Sequence, residues 1–285
     1  EISFASKNKC DVLIGWGEHI IDGLCRSAIH SRRFTTEINA HEGSNHYFPV
    51  LRRFGLRYMQ IFFTSTEVTD IALLLHPTLM PVDINEKKFT GEKADLRRQI
   101  RETAIHTLRC CMHEHYEDCP WREQALYTMD SRNQMLCGYY VFKEFDFAKS
   151  SLRLMAQSIR DDNMLELCSP ARVSITIPSF TANFLTAVYE YLTYSGDKEF
   201  AAEMLPYMKR IADEFLRRAN NEKGLVQCFT EARYWNFYEW QEGLSGSISG
   251  SVIGSLLFVA ASEWWLRGLD SGRWLGISSD LMRPG

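Results

Sequence analysis

The chain has 285 residues, 45% of them hydrophobic and 13% aromatic, with 32 Lys+Arg against 36 Asp+Glu for a formal net charge of −4. That composition buries a sizeable core and excludes wholesale disorder. The near-neutral balance leaves no electrostatic footprint for nucleic acid or for an anionic membrane surface. The longest apolar stretch, 252–261, is far short of the ~20 residues a membrane span requires.

The first 80 residues read as β structure with loops. Short aromatic and β-branched runs at 12–14, 48–50 and 56–62 are separated by glycines at 15, 17, 23, 43 and 55. Alternation is clearest where Leu56, Tyr58 and Phe62 stand against Arg57 and Gln60. A partial β-sandwich over 1–80 follows, closed by a linker containing Pro77 and Pro81. From residue 94 the period becomes helical, with Leu96, Ile100, Ala104, Leu108 and Cys111 forming a stripe within 94–117. Pro120 is placed to open a second helix running through Phe142. Further helices are predicted over 147–159, 180–194, 198–218 and 252–266, the fourth ending at Ser195-Gly196. Short connections make these antiparallel hairpins, about three of them within 81–285.

Chemistry concentrates in Glu117-Asp118-Cys119-Pro120-Trp121-Arg122-Glu123 and the residues that follow. With a helix beginning at Pro120, Glu123 and Asp130 share a face, Tyr127 lies between them, and Asp118 sits as N-cap beside Arg122. Crowded carboxylates push one another's protonation apart. A glycosidase general acid needs that, a proton held near the leaving oxygen beside ionised carboxylates that grip sugar hydroxyls. The plainer alternative is an exposed first turn whose acids complement the helix dipole.

Competing signals are weaker. Cys110, Cys111, His113, His115 and Cys119 match no paired-ligand zinc spacing, and His113 and His115 lack the four-residue interval of a helical metalloprotease. No metal or cofactor is expected. The Gly/Ser run 243–254 holds no Walker or dinucleotide pattern. Adjacent Cys110 and Cys111 point apart on a helix, so the eight cysteines read as free thiols of a reducing compartment, and a cytoplasmic location is expected.

The segment from Asp118 to Glu123, with Asp130 following, resembles the signature of bacterial α-L-rhamnosidases of the six-hairpin type, glycoside hydrolase family 78. Residues 52–58 look like that family's last sandwich strand, and Tyr234-Trp235-Asn236-Phe237-Tyr238-Glu239-Trp240 is similar to its aromatic loop. The resemblance implies a mainly α fold, an α/α toroid, present in part and preceded by the partial sandwich. It implies that Glu123 is the general acid and that Asp118, Arg122 and Asp130 bind the sugar. Tyr127 and Phe180 stand where the family usually has Trp, and Trp235, Glu239 and Trp240 belong to the sugar site. Inversion requires a second carboxylate, expected downstream of this chain. The implied activity is hydrolysis of terminal α-L-rhamnosides by a truncated form; the alternative is an inactive or truncated carbohydrate-binding relative. The implied partner is a carbohydrate or glycoside, with no nucleic acid or membrane. A homo-oligomer is expected through an exposed apolar edge.

Overall fold

The computed structural model describes residues 1–219, 226 and 229–237. The expected sixth helix and the Gly/Ser run before it lie outside these residues. Two compact units divide the chain, one of Glu1–Pro81 with Asp95–Gln124, the other of Val82–Ala94 with Ala125–Gly285.

The first unit carries ten strands, β1 (Ile2–Ser6), β2 (Cys10–Gly17), β3 (Ile20–Ile21), β4 (Leu24–Cys25), β5 (Ala28–Ile29), β6 (Arg32–Arg33), β7 (Thr35–Ala40), β8 (Gly43–Tyr47), β9 (Tyr58–Phe63) and β10 (Val68–Leu73). They form two three-stranded antiparallel sheets, ordered β10-β1-β8 and β7-β2-β9, and two small hairpins, β3-β4 and β5-β6. Alternation decides which side chains face inward. Ile2 and Phe4 of β1, and Val12, Ile14 and Trp16 of β2, are buried in one core with Phe34, Ala40 and Trp121. Phe4 and Phe63, from different sheets, meet edge to face at 5.3 Å. Each such side chain removed from water contributes about 1.5–3 kcal/mol.

Two sequence expectations fail here. Residues 48–50 are not a strand, because β8 ends at Tyr47 and Pro49 has no N–H for a ladder. Residues 52–57 are likewise outside the ladder, and β9 begins only at Tyr58. Arg52–Arg57 is instead an extended packing segment. The Phe54 ring stacks on Trp16 at 3.8 Å, and the Arg52 guanidinium lies 4.7 Å from the same indole.

Helix α1 (Ala94–Arg109) is shorter than the predicted 94–117, and only part of the stripe is inside. Ile105 and Leu108 are buried, whereas Leu96 and Ile100 are 53% and 61% exposed.

The second unit contains α2 (Thr128–Val141), α3 (Asp146–Gln157), α4 (Pro178–Ser195) and α5 (Lys198–Ala219). Helix α4 packs against α2, α3 and α5. Its buried residues include Phe184, Leu185, Ala187, Val188 and Tyr191, more than one narrow stripe would supply, as its central place requires. Pro178 occupies its first turn, where a missing N–H costs nothing. Gly196 ends it in the left-handed region at φ 73°, its N–H donating to the Leu192 carbonyl, the stop read from Ser195-Gly196. Asp197 then accepts the Phe200 N–H at 2.9 Å and opens α5. With ten strands and five helices among the described residues, the architecture is mixed α and β rather than mainly α.

Candidate active site

In the first unit the chemistry sits on a turn, not on a helix. Residues 120–123 form a turn, Gln124 has φ 55°, and α2 starts only at Thr128. A residue in the left-handed region cannot continue a right-handed helix. The turn is closed by its own side chains. The Gln124 amide donates to the Pro120 carbonyl at 2.7 Å, and the Glu123 N–H points to the Cys119 sulfur at 3.4 Å. The helical-face argument linking Glu123 to Asp130 therefore does not hold. Nor is Asp118 the N-cap of α2; that position is Tyr127, which makes no side-chain cap bond.

The turn rests on the extended segment 52–57. A Cβ on Gly55 would stand 1.7 Å from the Pro120 carbonyl oxygen, so only glycine allows the two backbones to meet there. Beside this contact, Arg53 Nη2 donates to both carboxylate oxygens of Glu117, at 2.5 and 2.6 Å. His113 Nδ1 lies 3.2 Å from the same carboxylate. Glu117 is 2% exposed. Burial alone would raise its carboxyl, but His113 and the Arg53 guanidinium outweigh it and hold the group below the usual range. This buried ionic hub lies just beyond the end of α1 and was not visible as a hub in the sequence.

Glu123 is 17% exposed, and its Oε1 receives two guanidinium groups, Arg32 at 2.7 Å and Arg122 at 3.2 Å. Arg32 comes from β6, ninety-one residues away in sequence. Sequence reading missed it because the hairpins of 20–33 were read only as loop. Asp22-Gly23, both at positive φ (51° and 77°), signals the β3-β4 turn, but the β5-β6 turn that presents Arg32 has no such Asx-Gly pair. Arg122 was expected beside Asp118 and pairs with Glu123. Burial, then the adjacent Asp118 carboxylate, push the Cys119 thiol up. Burial, followed by the Glu117 charge, pushes Cys111 up to about 12. A raised thiol pKa lowers the thiolate fraction and with it the nucleophilicity of these cysteines.

The second unit brings together aromatic residues. Tyr127 meets Phe180 edge to face at 6.3 Å, Phe180 meets Phe237 at 6.4 Å, and Phe237 meets Trp235 at 4.9 Å. Trp235 is 38% exposed. Phe237, which was not among the expected site residues, links the other three. Its carbonyl accepts the Ser179 hydroxyl at 2.9 Å, tying the segment to the first turn of α4. Asp130 lies in the first turn of α2, partly buried. Glu239 and Trp240 lie outside the described residues. Among the described residues there is no group of three or more His, Cys, Asp and Glu arranged to hold a metal ion.

Several solved rhamnosidases share this fold. The GH78 rhamnosidase of Bacillus sp. GL1 superposes with a TM-score of 0.72 at 23% identity, over 92% of this chain and 29% of that one. The Klebsiella oxytoca rhamnosidase, solved with rhamnose bound, gives 0.68 at 20% identity, over 93% of this chain and 54% of its own. The Streptomyces avermitilis α-L-rhamnosidase, complexed with L-rhamnose, gives 0.66 at 15%, over 95% and 26%. The chain thus spans between about a quarter and about half of these relatives. Curated protein sequences yield no match. The model of the bacterial α-L-rhamnosidase six-hairpin glycosidase domain matches residues 88–260, more than half of the chain, and the chain belongs to that family.

Proposed function

We propose that this chain carries the acid-bearing part of an inverting glycoside hydrolase that removes terminal α-L-rhamnose, with Glu123 as the general acid. The observation that carries the proposal is the Glu123 carboxylate, mostly buried on a turn pinned by Gly55 and Gln124. A general acid must be held where the leaving oxygen will sit, and a rigid, sheltered turn supplies that. Arg32 and Arg122 reach one oxygen of the Glu123 carboxylate, at 2.7 and 3.2 Å. Asp118, Arg122 and Asp130 bind sugar hydroxyls by this reading. Tyr127, Phe180 and Trp235 offer ring faces and edges to the apolar side of a deoxyhexose, joined by Glu239 and Trp240. The water-activating carboxylate is expected downstream, and completion of the helical hairpins into a closed toroid belongs to the same proposal. So does a division of labour between a sandwich over 1–80 and a catalytic domain over 81–285, in a cytoplasmic protein.

Glu123→Gln in an active full-length parent should abolish hydrolysis of aryl α-L-rhamnosides with the fold retained; full activity in that variant removes Glu123 from the role. The partial span of the relatives favours a second reading, a carbohydrate-binding chain without turnover. Calorimetric binding of L-rhamnose with no product release by this chain supports it, and turnover by the chain alone excludes it.

A further inference from the structure

One carboxylate outside the proposed site lies behind the segment that carries Trp235. Asp162, in the connection between α3 and α4, has a side chain only 9% exposed. It accepts the Tyr234 hydroxyl at 3.0 Å and the Arg160 guanidinium at 3.1 Å, lies 3.5 Å from the Arg233 guanidinium, and takes the Met164 N–H at 3.3 Å. Tyr234 is 6% exposed. The Arg218 guanidinium covers Phe229 at 3.9 Å and Tyr234 at 5.4 Å, closing the ring in. On the backbone side, Thr176 N–H donates to the Arg233 carbonyl at 2.9 Å, and Trp235 N–H to the Thr176 carbonyl at 2.8 Å.

These bonds make 233–235 a short bridge against Thr176. Neighbouring side chains on extended backbone point to opposite sides. Tyr234 accordingly turns inward to Asp162, and Trp235 turns outward toward Phe237. The inward anchor and the outward ring are consecutive residues of the segment held against Thr176. Burial, then the bond to Asp162, push the Tyr234 hydroxyl up, which keeps it a donor. A buried carboxylate gathering this many donors is an expensive way to fill space, and an apolar residue would fill it more cheaply.

We propose that Asp162 is a positioning residue for sugar recognition: through the Tyr234 hydroxyl it fixes the orientation of Trp235 and, with it, the ring surface presented to the substrate. The sugar-binding part of this proposal rests on Trp235 serving the site described above; the orienting part does not.

The test uses the full chain labelled with 5-fluorotryptophan, the Trp235 resonance being assigned by its loss in Trp235→Phe. Tyr234→Phe, which deletes one hydroxyl, and Asp162→Asn should both shift or broaden that resonance. The signals of Trp16 and Trp121, in the other unit, should stay in place. L-rhamnose affinity measured by calorimetry should fall about tenfold in both variants, the scale of one lost hydrogen bond to a charged acceptor. Asp162→Glu should recover part of the loss. An unmoved Trp235 resonance in Tyr234→Phe overturns the proposal. So does unchanged rhamnose affinity in a variant whose Trp235 resonance has moved. If Asp162→Asn does not fold, Tyr234→Phe decides alone. A parent chain that binds no L-rhamnose removes the rhamnosidase reading, and the fluorine spectra still decide whether Asp162 orients Trp235.

Discussion

Glu117 is the residue on which the acidic turn depends most. Breaking a buried ion pair by deleting one partner costs about 3–5 kcal/mol, because the remaining charge stays in a low-dielectric site. Glu117→Gln should therefore lower the unfolding free energy at neutral pH by that order, leaving Arg53 without its charge partner. The pH dependence has a defined sign. A carboxyl held below its ordinary value stabilises the fold above that value, and the contribution disappears as pH falls through the folded value. The gap between parent and variant should then narrow as pH falls below the ordinary carboxylate value. Urea titrations at pH 7 and at pH 3.5 measure both ends; a gap that widens on acidification contradicts the assignment. None of this was legible in the sequence. Glu117 stood in the motif, but its partners Arg53 and His113 are sixty-four and four residues away, and no periodicity connects a loop arginine to a buried acid.

Elements were read unevenly, and the reason differs from one to the next. The second unit's helices were legible because their signals are local. Gly196 can adopt φ 73° at no cost, Pro178 suits a first turn, and α3 and α5 have strong apolar faces. The β-strands were read poorly. Two-residue strands such as β3 to β6 carry too few residues for alternation to show. The predicted helix at Pro120 failed for a tertiary reason: 118–124 takes its shape from a backbone sixty-five residues earlier. That origin is testable at Gly55. Gly55→Ala must force apart Gly55 and Pro120, whose backbones leave no space for a methyl group. It should cost about 3 kcal/mol, at the upper end for overpacking. Unfolding followed by the near-ultraviolet signal of the buried Trp16 and Trp121 is the measurement. An unshifted midpoint means that the turn does not rest on this contact. The acidic and aromatic candidates were read by type and position in the chain, while the neighbours the fold gives them, Arg32 and Phe237, were not.

At the scale of the whole molecule, the described surface carries an apolar run beside an outer strand. β10 lies at one side of its sheet, and Ile71, Leu73, Leu74 and Leu75 are each about half exposed or more. Unpaired strand edges with apolar side chains invite pairing with another copy. The expected self-association should appear as a mass that rises with concentration in light scattering, and Leu74→Lys should suppress it; a mass independent of concentration argues for a monomer. Among the described residues no helix is long and apolar enough to cross a membrane. Family likeness and structural dependence draw different borders on this chain. The family model begins at residue 88, yet the arginines that hold Glu117 and Glu123, and the glycine under Pro120, are at 53, 32 and 55. A fragment cut at the border of the family would keep every acidic residue of the motif and lose the scaffold that shapes it. Resemblance here runs along the chain, but the acidic turn is held by a clasp reaching back into the strands, and whoever shortens this protein must cut ahead of the clasp.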